Sequence, residues 1–315
     1  MKKTAEFVSP KHPDKMCDFI ADSILDEYLK QDPTSRVAVE VMGGHGHITV
    51  SGEITSRAEV DIAKIVTLVA GANFQVSVFA TRQSAEISHG VDIGGAGDQG
   101  IMVGFACSDT PNHMPLEYEL ARNLCRNIYQ KFPYDGKVQV TVDTETKKIS
   151  TVVASFQNTK TEELLKLVKQ YVSAEEYLIN PAGEWHIGGF DADSGLSGRK
   201  IIIDNYGPNI SVGGGSFSGK DYTKVDRSGA YMARKIAVDM LGKTHAHEVL
   251  VKLAYAIGKP NPVMSTLLVD NKEQIFPTTY DLTPQGIKMF LKLDQPKYVQ
   301  TANWGHFGRD FIWDK

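Results

Sequence analysis

Cysteine is scarce: Cys17, Cys107 and Cys125 are the only three in a chain of 315 residues. An odd number at wide spacing excludes a disulfide framework, and the lack of any C-x-x-C pair excludes the common structural zinc motifs. This usage predicts a reducing, cytoplasmic setting. No apolar run approaches the roughly 20 residues of a membrane span; the longest, at 65–72, is short and interrupted. Lys2 and Lys3 are not followed by an apolar stretch, so no secretory leader is expected. An excess of positive charge is missing too. The formal net charge is -4 and the pI near 6.1, which argues against a general nucleic-acid binder while leaving room for a local cationic pocket. There is no low-complexity segment and no long linker. What is present is ordinary globular material, 42% hydrophobic and 23% charged, enough to build a core in two or three closely packed domains.

The periodicity sets out the elements. Pro13 stands at a first helical position, and Met16, Phe19, Ile20, Ile24 and Tyr28 follow at three-to-four spacing, predicting a helix over 13–31. Strands are expected at 36–42 and 47–54, a helix at 57–70 and a strand at 74–80. After a Gly-rich loop at 94–100 come a helix at 115–131, strands at 137–143 and 149–156, and a helix at 161–172. A strand at 200–206, a second Gly-rich loop at 213–219, a helix at 225–242, strands at 248–257 and 263–269, and a short helix after Thr283-Pro284 complete the chain. Strands in adjacent pairs with helices between them predict antiparallel or mixed sheets covered on one face.

Gly213-Gly-Gly-Ser-Phe-Ser-Gly-Lys-Asp-Tyr-Thr-Lys-Val-Asp-Arg227 is the most informative stretch. Glycines let backbone N–H groups approach phosphate oxygens, and Lys220 and Lys224 add cations beside them. Gly214-x4-Gly219-Lys220 nearly matches a P-loop but continues with Asp221 instead of Ser or Thr. A flexible surface loop is the plainer alternative. Asp226 reads either as part of a capping box with Thr223 or as a magnesium ligand beside phosphates. In Asp193-Ser-Gly-Leu-Ser-Gly-Arg-Lys200, the pair Arg199-Lys200 reads as a phosphate contact or as a solvated strand start. His12-Pro-Asp-Lys15 opens the first helix, where the N-terminus attracts anions; a zinc set of His12, Asp14 and Cys17 lacks a fourth ligand. Gly95-x-Gly97-x-x-Gly100 matches a dinucleotide fingerprint only formally, because Asp98 would face the pyrophosphate. Taken together, Lys15, Lys137, Arg199, Lys200, Lys220 and Lys224 form a candidate surround for one polyphosphate, with Asp14 and Asp226 holding metal ions against it. A nucleoside triphosphate is the ligand such a set suits best.

With those residues in view the sequence resembles the methionine adenosyltransferase, or S-adenosylmethionine synthetase, family. The resemblance runs from His12-Pro-Asp-Lys15 through Gly52-Glu-Ile-Thr55, Gly94-Gly-Ala-Gly-Asp-Gln-Gly100, Gly195-Leu-Ser-Gly-Arg-Lys200, Gly213–Arg227 and Tyr255-Ala-Ile-Gly258 to Gly305-His-Phe-Gly-Arg309. It implies an α+β fold of three intertwined two-layer subdomains, each a mixed sheet covered by helices, at 1–90, 95–187 and 188–315. It implies formation of S-adenosylmethionine from ATP and L-methionine with release of phosphate and pyrophosphate, dependence on Mg²⁺ (two per site) and K⁺, and a homodimer with shared active sites or a homotetramer of such dimers. Neither nucleic acid nor membrane is implied as a partner. Carried over by position, His12, Lys137, Arg199 and Lys220 are the expected catalytic residues. Lys15, Asp135, Trp185, Asp193, Lys200 and Ser216 are the expected ATP contacts. Glu53, His89, Asp98, Asp193 and Lys224 are the expected methionine contacts, with Asp14 and Asp226 for Mg²⁺ and Glu40 for K⁺.

The sequence also departs from the family pattern. Lys11 replaces a usual Gly, His89 a usual Gln, and Glu184-Trp185 a basic-then-Phe pair; the loop at 92–95 is shorter than the usual lid. The competing expectations are a non-catalytic or altered-substrate relative that binds nucleotide, and a kinase-like phosphoryl transferase acting through the near P-loop.

Overall fold

The computed structural model describes residues 1–82 and 94–315. Three four-stranded sheets form its frame. In the first, β1 (Lys2–Val8), β6 (Gly136–Asp143), β7 (Ile149–Phe156) and β8 (Ala174–Ile179) lie in that spatial order. The second runs β4 (Gln75–Thr81), β3 (His47–Thr55), β2 (Arg36–Gly44) and the short β9 (Gly195–Leu196). The third runs β12 (Lys272–Gln274), β11 (Met264–Val269), β10 (Glu248–Tyr255) and β5 (Gly100–Cys107). Each sheet thus combines strands far apart in the chain, which is what intertwines the fold.

Two sheets are mixed, through the parallel pairs β7–β8 and β3–β4. The third departs from the expected mixed pattern: all its pairs are antiparallel, since β5 enters beside β10 running the opposite way. Alternation explains why each sheet buries one face. In β2, Val37, Val39 and Val41 are buried while Glu40 and Met42 are exposed, and in β10, Val249, Val251, Leu253 and Tyr255 are buried in strict alternation. Complete burial of each such side chain contributes on the order of 1.5–3 kcal/mol.

Three long helices supply the covering layer: α1 (Pro13–Gln31), α3 (Leu116–Lys131) and α6 (Val225–Thr244), the last two named after α2 (Ile62–Ala70), α4 (Thr161–Tyr171) and α5 (Ile201–Asp204) take their places in order. Helix α1 packs on β2, α3 on β1 and β6, and α6 on β5 and β10. The last contact is close because residue 104 is glycine: a Cβ there would fall 2.0 Å from the Ala233 carbonyl carbon. The chain closes with α7 (Pro284–Leu291) and α8 (Val299–Ala302). No helix among the described residues is long and apolar enough to cross a membrane.

The expected strand at 200–206 is instead α5 with its flanking turns. A short apolar run such as Ile201-Ile-Ile does not distinguish strand from buried helix, and the buried tether of Asp204 to Lys15 fixes the helical turn. Strands β1, β5 and β8 add to the predicted set.

Candidate active site

Asp14 stands in the first turn of α1, where Pro13 presets the backbone and His12 is the N-cap. Its Oδ1 accepts the Leu196 N–H at 2.9 Å and its Oδ2 the Lys200 Nζ at 2.5 Å, with Arg199 Nε 3.9 Å from Oδ1. Burial opposes ionisation, but the bonds from Lys200 and the Leu196 amide prevail and hold the carboxyl below its ordinary range. His12 Nδ1 accepts the Asp14 N–H at 3.2 Å. Burial, followed by the charges of Lys200 and Lys137, pulls this imidazole down to about 4. It is therefore neutral at pH 7, and with Nδ1 acting as acceptor the proton sits on Nε2, free to be donated.

The other expected groups reach the same place on different elements. Lys137 opens β6, faces Ser155 across the ladder, and lies 3.4 Å from Glu6. Ser155 Oγ accepts the Trp185 indole N–H at 3.0 Å, which sets that half-buried ring beside Lys137. Asp135 accepts the Gly189 N–H at 2.9 Å; burial raises its carboxyl, and Asp193 and Lys137 are both close enough to act on it. Thus His12, Asp14, Asp135, Lys137, Trp185, Asp193, Arg199 and Lys200 form one cationic and acidic surround.

A second set gathers at the N-terminus of α6. Lys220 Nζ lies 2.7 Å from Asp226 Oδ2 and Lys224 Nζ 2.6 Å from the buried Asp221. Ala38 of β2 pairs with Glu53 on one side and bridges Lys220 on the other, bringing Glu53 to this set. Asp226 packs against Gly215 and near Gly100, so both Gly-rich loops meet at its carboxylate. Asp98 lies exposed in the first of these loops, its carboxylate accepting the Gln99 N–H at 2.7 Å. Ser216 lies against Gly198, where a Cβ would stand 2.3 Å from its own; this contact joins the Gly-rich loop to the Arg199-Lys200 turn. Glu40 accepts the Ser197 hydroxyl at 2.6 Å on the exposed side of β2.

Lys15 is not part of either surround: it is buried, with Nζ 2.8 Å from Asp18 and 2.5 Å from Asp204, so its charge is spent inside the fold. His89 lies outside the described residues. The capping box of Thr223 and Asp226 does not form. Helix α6 has Lys224 at its N-cap without a side-chain cap, because Asp221 takes the Thr223 N–H and Lys220 takes Asp226. No ion pair joins the two sets among the described residues.

Beneath both sets runs a feature that motif reading missed. Asp14, Asp18, Asp22 and Asp26 recur every four residues along α1, so they share one face. Each accepts a backbone N–H from a segment distant in the chain: Leu196, Gly198, Gly219, and the Lys297–Val299 turn. Lys15 and Arg227 neutralise the middle of this ladder, Arg227 by a two-pronged bond to Asp22 at 2.7 and 2.8 Å. The i, i+4 spacing of four aspartates on the face that also carries core residues was the available signal.

Among the described residues no three His, Cys, Asp or Glu side chains converge on a metal site. The donors do suit a hard cation of another kind. Asp14 and Asp226 are single carboxylates, each now balanced by a lysine, and magnesium is commonly held by one or two carboxylates together with substrate phosphates.

Comparison with known proteins matches residues 1–84, 93–185 and 187–315 to the S-adenosylmethionine synthetase N-terminal, central and C-terminal domains. The S-adenosylmethionine synthase of Salinispora tropica is 40% identical over 379 aligned residues that take in 99% of this chain and 95% of the relative. The enzymes of Deinococcus deserti and Deinococcus radiodurans are 40% and 39% identical, each over 99% of this chain and over 96% and 94% of their own lengths. The aligned spans exceed the 315 residues here, so these relatives carry stretches inside the shared region that this chain lacks.

Proposed function

The chain belongs to the S-adenosylmethionine synthetase family and forms S-adenosylmethionine from ATP and methionine, and we propose that the two side-chain sets described above carry that reaction. The observation that supports this most directly is Asp14 held between Lys200, Arg199 and the neutral His12. A carboxylate so placed exchanges its cations for a metal ion while those cations turn to phosphate.

The methionine sulfur attacks C5′ of ATP. A carbon–sulfur bond forms, the C5′–oxygen bond breaks, and its electron pair leaves on triphosphate. A thioether has no proton to lose, so no general base is required; in-line positioning supplies several kcal/mol. Lys137, Arg199, Lys200 and Lys220 face the leaving oxygen and its phosphates as fixed positive charges, and His12 donates its Nε2–H without changing charge. Asp135 takes the ribose side, Trp185 stacks on adenine, Ser216 lets the Gly-rich backbone close on phosphate, and Asp193 lies between nucleoside and amino acid. Glu53, Asp98 and Lys224, with His89, bind methionine. The same cations retain the triphosphate until water divides it into phosphate and pyrophosphate. Asp14 and Asp226 would each hold a Mg²⁺ and Glu40 a K⁺; when bound, such ions neutralise phosphate charge.

Shared sites in a homodimer complete this reading. The side of β2–β3–β4 away from α1 exposes Met42 and Phe79 beside Glu40 and Glu53, an apolar patch around site residues that a second subunit would cover. Pairing of dimers into a tetramer is an extension of the same reading, and the three free, buried thiols support a cytoplasmic setting. The division at 1–90, 95–187 and 188–315 remains our assignment of the subdomains. The test is product analysis with ATP, methionine, Mg²⁺ and K⁺. S-adenosylmethionine with phosphate and pyrophosphate supports the assignment; ADP as the product would refute it.

A further inference from the structure

A polar cavity of about 440 Å³ opens between α3 and residues 304–310, and its lining includes no residue of the two side-chain sets described above. Arg122, Arg126 and Arg309 all line it. Arg122 is committed to the protein: it is buried, donates to the Phe307 and Gly308 carbonyls at 2.6 and 2.7 Å, and pairs with Glu119. Glu119 is committed as well, its other oxygen accepting the side-chain amides of Asn112 and Asn123 at 2.9 and 3.0 Å. Of the two carboxylates that line the cavity, Glu119 and Asp310, the first is therefore fully used.

The remaining two guanidiniums keep unused donors. Arg309 uses Nη1 on the Gln300, Asn303 and Gly305 carbonyls at 2.6, 2.8 and 3.4 Å and lies over the Phe311 ring, while its Nε and Nη2 make no hydrogen bond among the described residues. Arg126 has no hydrogen bond or ion pair among the described residues. Asp310, at the cavity's exposed edge, already pairs with Lys315 at 2.9 Å and makes no ion pair with either arginine among the described residues. Burial, then the charges of Arg122 and Arg126, pulls Arg309 down to about 10. Like charges this close repel one another, and a divalent anion between them relieves that repulsion.

We propose that the cavity between α3 and residues 304–310 is a second anion site, in which Arg126 and the free edge of Arg309 bind a phosphate-class dianion. The two unused forks match two charged oxygens, which favours phosphate or pyrophosphate over a monocarboxylate. Neither residue belongs to the catalytic sets, so the site does not depend on their assignment.

Titration calorimetry of the full-length protein with pyrophosphate, without ATP or methionine, tests this in four forms: unaltered, Arg126→Glu, Lys220→Met, and the double variant. Arg126 is exposed and outside both side-chain sets, so its replacement should leave folding and basal turnover unchanged. The unaltered protein should show two classes of site. Arg126→Glu should weaken one class at least tenfold and Lys220→Met the other, with both effects in the double variant. An Arg126→Glu isotherm identical to that of the unaltered protein would overturn the proposal. So would acetate displacing pyrophosphate from the Arg126-sensitive class at equal concentration. Inorganic phosphate in place of pyrophosphate then distinguishes a one-phosphate from a two-phosphate ligand.

Discussion

Replacing Asp22 by Asn should be among the most damaging single-atom changes in this fold. Asp22 is fully buried, and its two oxygens accept three bonds, two from Arg227 and one from the Gly219 N–H. The amide keeps the shape but removes the charge, leaving the Arg227 guanidinium, itself 1% exposed, without its counter-ion. Breaking a buried pair from one side costs about 3–5 kcal/mol, which corresponds to a fall in melting temperature of roughly 5–10 °C in a chain of this size. Arg227→Met should cost a similar amount. The double variant Asp22→Asn/Arg227→Met removes both charges and should recover at least about 2 kcal/mol relative to the sum of the singles. The exposed Glu27–Lys30 pair, at 3.0 Å, is the comparator: Glu27→Gln should change stability by less than about 0.5 kcal/mol. Thermal and urea unfolding of the four variants measure this directly. If Asp22→Asn costs less than about 1 kcal/mol, or if the double variant simply adds the singles, the aspartate ladder is not what ties the C-terminal loops to α1.

Lys220→Met should lower kcat/KM by about a hundredfold or more while shifting the melting temperature by only a few degrees, because the Lys220–Asp226 pair is partly open to water; steady-state kinetics with differential scanning fluorimetry check both halves. His12 should titrate near 4 by NMR in the unliganded protein. The unfolded chain takes up that proton near 6.5, so the contribution of neutral His12 to stability is intact above about 6.5 and is lost as pH falls toward 4; a native titration midpoint above 6 would contradict this. Chelation with EDTA should abolish turnover and Mg²⁺ restore it, and Glu40→Gln should remove stimulation by K⁺ at constant ionic strength without abolishing activity. Gly104→Ala should destabilise by at least about 2 kcal/mol, since the new methyl meets the Ala233 backbone at 2.0 Å.

Much of this architecture was legible because burial on one face writes a period into the sequence. The β2, β3, β6, β7 and β10 strands and the α1, α3 and α6 helices carry it clearly. What was not legible was set by partners distant in the chain. The run Ile201-Ile-Ile-Asp204 reads equally as strand or helix until Lys15, 189 residues away, binds Asp204. Lys15 shows the same limit from the other side. As a cation at a helix N-terminus beside His12 and Asp14 it has every local mark of a phosphate contact, yet Asp18 and Asp204 draw it into the interior. Spacing along a helix fixes which residues share a face, whereas which face meets another element is decided by the whole fold. The aspartate ladder makes that distinction concrete. Asp14 and Asp226 are both acidic residues in the first turn of a helix, and only the structure separates Asp14, tied to the Leu196 backbone, from Asp226, held by one lysine beside two glycine loops. It follows that the two candidate metal carboxylates are not equivalent: Asp14 is fixed by the Leu196 backbone as well as by Lys200, whereas the hydrogen bond that Asp226 accepts among the described residues comes from the Lys220 side chain.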